Sequence, residues 1–382
     1  MKKHWNRLFA LGLALALVVG SACAGEKIML GQIVTSLTGD AAMYGDFQVN
    51  AVRMAIDEIN AAGGIDGKML DVVYLDDQSK PQVALQAMQK LVSEVKPVAV
   101  FGPDWSGNTL AAMPIAQRNK IPQLTTSKSR AITHKNNPYI YRLVAMGPFI
   151  GQALAEYAKE QGFKKVAIFY TNTEYGVSGG EGALEACKKL GLEVTAYETC
   201  NVGDNDFTAQ IQTIKNSGAE VLIDYSIQVE GAKSLKQMRE LGMNLPVLGG
   251  DAFVTDDFAK LVGNDIMDGI IAASSFIPTA ETPKVEKFVE DYKAKFGNVP
   301  EDHASPLYDG VYILAEAIKR AGSTDREKIN AELAKTSGFE GVNGPHTADK
   351  WNNLLHSCML AEYKNGGWVY IKTLTGLEDH DD

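Results

Sequence analysis

Short apolar runs recur at 28–34, 70–75, 98–101 and 121–124, and stretches with helical spacing separate them near 44–61, 80–95 and 106–117. In "VNAVRMAIDEINAAGG", Val52, Ala55, Ile56 and Ile59 share one helical face, and Gly63-Gly64 ends it. The pattern then restarts. "KVAIFY", "LEVTAY", "EVLIDY" and "LPVLGG" read as strands, with helical stretches near 147–161, 177–190, 207–217 and 228–241 between them. Strand and helix in alternation predict parallel sheets covered on both faces. The chain is therefore expected to be α/β, with two doubly wound parallel-sheet lobes in tandem.

The tail breaks this rhythm. Helical spacing appears in "PKVEKFVEDYKAKFG", "SPLYDGVYILAEAIKRAG" and "DREKINAELAKT", and "SCMLAEYKNGGWVYIKTL" reads as a hairpin turning at Asn365-Gly366-Gly367. These elements must pack onto lobes already made, so a multi-crossing hinge is expected. Residues 25–143 plus 275–350 are assigned to one lobe, and 144–274 plus 351–382 to the other. Pro114, inside the helix that opens near Ser106, is expected to kink or shorten it. The "EDHDD" end reads as a frayed tail.

The N-terminus changes the picture. Lys2, Lys3 and Arg7 precede an apolar run from Leu8 to Val19, and Ala22-Cys23-Ala24 fits a small-x-small cleavage pattern. Residues 1–24 are expected to be a signal peptide, which places the protein in the periplasm. Lipid anchoring through Cys23 is the competing reading, but Gly20 stands where a branched aliphatic residue is usual. The apolar run is too short to span a bilayer, and no membrane insertion of the mature chain is expected. The net charge is -10, and losing the leader's basic residues makes it more negative. Such a chain is a poor partner for nucleic acid or anionic lipid.

Cys187, Cys200 and Cys358 remain after the leader. Cys187 falls near the end of a helix and Cys200 at the far end of the next strand, separated by a strand length of roughly 20–25 Å. A bridge needs Cα atoms within about 7 Å, so no Cys187–Cys200 disulfide is expected.

Open parallel sheets place their sites beyond the carboxyl ends of their strands. Those corners read "GPDWSGNT", "TTSKS", "TNTEYG", "DYSIQVE" and "GGDAF". The first two, from the first lobe, carry hydroxyls, a helix N-terminus and Lys128, a set suited to a carboxylate. The others carry Asp224, Asp251 and the phenol of Tyr175, suited to a cation. A small zwitterion held between the lobes would use both sets.

At this point a resemblance is clear. "GQIVTSLTGDAAMYGDFQVNAVRMAIDEINAAGGIDGK", "VFGPDWSGNT", "NTEYG" and "YDGVYILAEAI" resemble, in order and spacing, the periplasmic branched-chain amino acid-binding proteins of ABC transporters. The resemblance implies the type I periplasmic binding fold, an amino acid ligand, and delivery to an inner-membrane ABC permease. It implies that Ser106 holds the ligand carboxylate, assisted from the next corner by Thr126, Ser127, Lys128 or Ser129. Asp251 would hold the ammonium, with Tyr175 and Tyr44 lining the pocket. There are departures. Lys128 stands about where a threonine is expected, Ile227 or Gln228 replaces a tyrosine, and Asp104-Trp105 replaces small or apolar residues.

Each assignment has a plainer counterpart. Ser106 suits an N-cap, and both roles can hold at once. Asp251 suits a solvated turn, Tyr175 a rim aromatic, and Trp105 either interlobe packing or an aromatic wall. Lys128 either faces the cleft or, as the default for lysine, faces solvent.

An enzyme is not expected. "GVSGG", Gly176 to Gly180, has the G-x-S-x-G form of serine hydrolases, but Ser178 falls eight residues after the apolar strand, inside the start of a helix. "GGIDGKML" lacks the form of a phosphate loop. No HExxH or CxxC occurs, and no metal or cofactor is expected. A ligand-sensing receptor component of the same fold, or a binder of a non-amino carboxylate, would present much the same sequence.

Overall fold

The computed structural model describes residues 27–38 and 44–377. The leader, Cys23 and the acidic end at 378–382 lie outside the described residues.

The first sheet comprises β1 (Lys27–Val34), β2 (Met69–Asp76), β3 (Val100–Phe101), β4 (Gln123–Thr125) and β5 (Ile140–Arg142), all parallel, in the order β2-β1-β3-β4-β5. Its connections contain α1 (Gly45–Ala61), α2 (Pro81–Lys90) and α3 (Ser106–Arg118). Val52, Ala55, Ile56 and Ile59 are buried together on α1. Gly63 and Gly64 follow it at φ 101° and 72°, a region that favours glycine. The helical stretch near 80–95 divides, because α2 passes into a single wider turn over Leu91–Val95.

The second sheet follows α4 (Gly147–Glu160). Its parallel strands are β6 (Lys165–Thr171), β7 (Glu193–Cys200), β8 (Val221–Tyr225), β9 (Val247–Gly249) and β10 (Ile271–Ser274). Between them lie α5 (Glu174–Leu190), α6 (Thr208–Asn216), α7 (Gln228–Glu240), α8 (Asp256–Val262) and α9 (Asn264–Met267). These strands run β7-β6-β8-β9-β10, the same winding as the first sheet. The order reverses between β1 and β3, and again between β6 and β8. Connections leave each reversal in opposite directions, which opens a crevice beyond the carboxyl ends there.

The chain then returns to the first lobe, where α10 (Pro283–Phe296) and α11 (Ser305–Ala321) pack on α1, and α12 (Arg326–Leu333) packs on α11. A small hairpin, β11 (Phe339–Gly341) and β12 (Gly344–His346), follows. Finally β13 (Ser357–Lys364) and β14 (Gly367–Thr375) extend the second sheet, with β13 antiparallel to β10. Their two-residue turn places Asn365 at φ 54° and Gly366 at φ 87°, the left-handed pair that such a hairpin needs.

Pro114 does not shorten α3, which runs on to Arg118. Pro114 is on the exposed side of the helix, where the Leu110 carbonyl that loses its amide partner can be solvated. The short strands β5, of sequence IYR, and β10, of sequence IAAS, have no counterpart among the apolar runs read from the sequence.

Candidate functional site

The carboxyl end of β3 builds the first corner. Gly102 turns the chain at φ 78°, and a Cβ there would lie 2.2 Å from the Ile33 carbonyl oxygen, so this position takes glycine. The Pro103 carbonyl then accepts from Thr109 Oγ1 at 2.9 Å and Thr125 Oγ1 at 2.6 Å, which ties the corner to β4. Ser106 is the first residue of α3 and does not cap it, which corrects the N-cap reading. Its hydroxyl instead accepts from the Ser129 amide at 3.2 Å, joining the two corners of this lobe. Trp105 is half-buried at the helix entrance, in extended backbone.

The "TTSKS" corner is held just as closely. Thr126 Oγ1 donates to Asp104 Oδ1 at 2.6 Å, and the Ser127 hydroxyl lies 2.6 Å from that of Thr109 and donates to the Asp104 carbonyl. Arg142 on β5 is fully buried and donates to the carbonyls of Ser127 at 2.6 Å and Ser129 at 2.8 Å. A short strand with no visible periodicity thus sets the loop that carries Lys128.

From the second lobe, Asp251 follows β9 and accepts on Oδ1 from Tyr175 at 2.9 Å and Tyr225 at 3.3 Å. The glycines of "GVSGG" let α5 approach, because a Cβ on Gly179 would lie 2.2 Å from the Tyr225 ring. That packing accounts for the motif, and Ser178 Oγ accepts from the Arg130 amide of the other lobe at 2.8 Å. Asp224 is instead buried within β8, its Oδ1 accepting from the Ser226 amide. Burial pushes its carboxyl up to about 7. Tyr44 donates across the cleft to Gln228 Oε1 at 2.6 Å, and Gln228 donates on to Thr255 at 2.7 Å.

Lys128 is not a solvated lysine. It is 5% exposed, and its ammonium lies 2.9 Å from Asp251 Oδ2 and 3.0 Å from Asp302 Oδ2. Burial disfavours its charge, but the two carboxylates outweigh this and hold it well above the ordinary lysine range. A cation of one lobe therefore rests on the acid of the other that was assigned to a ligand ammonium.

Beside it, His303 stacks on Tyr44 at 4.0 Å and touches Glu301 at 2.8 Å and Asp104 at 3.4 Å. Burial opposes protonation of His303, but those carboxylates prevail and raise it well above its usual value. Burial raises Asp104 in turn, and His303 with Lys128 more than reverses this, leaving it below the ordinary range. Glu301, Asp302, His303, Tyr225 and Thr255 were not picked out in the sequence. The available signal was the "EDH" run just before the helix of "SPLYDGVY".

Among the described residues no His, Cys, Asp or Glu group is arranged to hold a metal ion. Cys187, Cys200 and Cys358 are buried free thiols, and burial pushes Cys187 and Cys200 up to about 12.

A family profile described as periplasmic binding protein matches residues 28–367. The chain belongs to the periplasmic binding protein family. A leucine-, isoleucine-, valine-, threonine- and alanine-binding protein of Pseudomonas aeruginosa is 28% identical to this periplasmic binding protein over 354 residues, 90% of this chain and 92% of its own. The leucine-binding protein LivK of Thermotoga maritima superposes with a TM-score of 0.84 at 27% identity, covering 91% of this chain and 99% of its own. The branched-chain amino acid transporter substrate-binding protein LivJ of Streptococcus pneumoniae, solved with isoleucine, superposes at 0.80 with 30% identity, covering 91% and 100%. Solute binding is thus the function of this fold, and the crevices of the two lobes meet where Lys128 reaches Asp251. No helix among the described residues is long and apolar enough to cross a membrane.

Proposed function

We propose that this protein captures an amino acid between its lobes in the periplasm and hands it to the inner-membrane permease of an ABC importer, without catalysing a reaction. The lobes, 25–143 plus 275–350 and 144–274 plus 351–382, close as units about the crossing segments. One observation carries this reading. Hydroxyls at the start of α3 and in "TTSKS" lie in one lobe, while Asp251, with two phenols on one oxygen, lies in the other. The α-carboxylate is assigned to Ser106 and the Thr126–Ser127 corner, where the amides that open α3 favour an anion. The α-ammonium is assigned to Asp251 Oδ2, where it exchanges with Lys128, which keeps Asp302. Tyr44, Tyr175 and Gln228 complete the enclosure, and Trp105 guards the helix entrance. Each lobe supplies half of the contacts, so the solute favours the closed arrangement.

A specific observation favours a second reading. Lys128 already neutralises Asp251, so a carboxylate with no amine would find its remaining partners in place. A thermal-shift panel of amino acids and their deaminated analogues separates the two. A solute at a hundred times its Kd stabilises the protein by about 2.7 kcal/mol. The amino acid reading predicts a shift with the amine and little without it. Equal shifts for both compounds favour the second reading.

A further inference from the structure

The cleft contains more charge than an α-amino acid group requires. Lys128 and His303 are opposed by Asp104, Asp251, Glu301 and Asp302, two cations against four carboxylates. Asp302 is 3% exposed, and only one of its oxygens is engaged, by Lys128. The other, Oδ1, is buried and has no hydrogen-bond partner. Buried carboxylate oxygens are normally satisfied, so this is an acceptor awaiting a donor. Tyr44 offers little apolar wall, since one face of its ring is covered by His303.

An aliphatic side chain placed here would displace water from charged groups and return no hydrogen bond. A side chain bearing N–H groups would satisfy Asp302 and reduce the charge imbalance. We infer that the solute is an amino acid whose side chain donates N–H hydrogen bonds, basic or amide, to Asp302 Oδ1, and that leucine, isoleucine and valine are selected against. The inference rests on the amino acid reading and departs from the aliphatic ligands in the names of the relatives. A site built to hydrogen-bond a group rejects analogues lacking it, because its own polar atoms are then left unpaired.

The test is isothermal titration of the full mature chain with lysine, arginine, asparagine, glutamine, leucine, isoleucine, valine and glutamate. At least one of the first four is expected to bind more than about tenfold tighter than leucine, isoleucine, valine and glutamate. In Asp302→Asn every solute also loses the buried counterion of Lys128, so the reading is the ratio: the preference for that solute over leucine should shrink by at least about tenfold. Leucine, isoleucine or valine binding as tightly as the N–H donors in the wild type overturns the inference and leaves the amino acid reading standing. So does tightest binding of glutamate. An equal loss for every ligand in Asp302→Asn assigns Asp302 a structural role only, which also overturns it. Binding of no amino acid overturns the amino acid reading, and this inference with it.

Discussion

Replacing Lys128 with methionine keeps the length of the side chain and removes the ammonium from two buried carboxylates. Lys128, Asp251 and Asp302 are 5%, 6% and 2% exposed along their side chains, so water does not substitute for the lost charge while the lobes are closed. Removing one partner of a buried pair typically costs about 3–5 kcal/mol. Because Lys128 and Asp251 belong to opposite lobes, the cost falls on the closed arrangement; when the lobes part, both acids regain water. At about 1.4 kcal/mol per factor of ten, the open-to-closed ratio moves by roughly two to nearly four orders of magnitude. The other contacts across the cleft are weaker counterweights. Arg130–Glu185 is partly exposed, at 18% and 45%, and exposed pairs contribute about 0–1 kcal/mol. The Tyr44–Gln228 hydrogen bond adds roughly 0.5–1.5 kcal/mol. Small-angle X-ray scattering of the solute-free proteins is the assay, and Lys128→Met should show a larger radius of gyration than the wild type. Superimposable scattering curves would refute the argument that this lysine holds the lobes together.

Three further outcomes are expected. Asp251→Ala leaves a ligand ammonium unpaired in a closed cleft, so affinity for the best amino acid should fall by roughly 2–5 kcal/mol, and an unchanged Kd by titration calorimetry would remove the ammonium assignment. His303 is raised above its ordinary value of 6.5, so its stabilisation is complete below about 6.5 and is lost as pH rises through the raised value. Thermal midpoints of the wild type should therefore fall with pH above about 6.5, and His303→Gln should flatten that slope; parallel slopes would count against a charged His303. Asp224, raised by burial to about 7, binds protons more readily folded than unfolded, so it costs stability as pH rises from about 4 to about 7. Asp224→Asn should gain a few kcal/mol at pH 8 and almost nothing at pH 4 by denaturant unfolding, and no gain at pH 8 would show that the buried acid is accommodated.

The winding of both lobes was legible because α1 and α5 are amphipathic and strands such as β6 and β8 contain apolar runs, at 166–170 and 221–223. Element ends were legible where glycine or a left-handed turn marks them, as after α1 at Gly63-Gly64 and between β13 and β14 at Asn365-Gly366. Strands β5 and β10 were not, since Ile140–Arg142 ends on an arginine and Ile271–Ser274 is mostly alanine and serine, residue types that do not mark a strand. Of the site, the corners were legible because topology alone locates them. The partners were not. Asp302 and His303 reach the cleft from a segment some fifty residues beyond Asp251, and nothing local to Lys128 distinguishes a buried triad from a surface charge. Ser106 was legible as the start of α3, but the Ser129 amide that its hydroxyl accepts from lies 23 positions away.

An amino acid is expected to bind between the lobes through both its charges. Isothermal titration of the mature protein with the twenty amino acids, followed by the deaminated analogue of the tightest, tests it most directly. Saturable one-to-one binding by at least one amino acid, weakened more than about thirtyfold in the analogue, is the predicted result. No binding by any of the twenty, or an analogue that binds equally well, would contradict it.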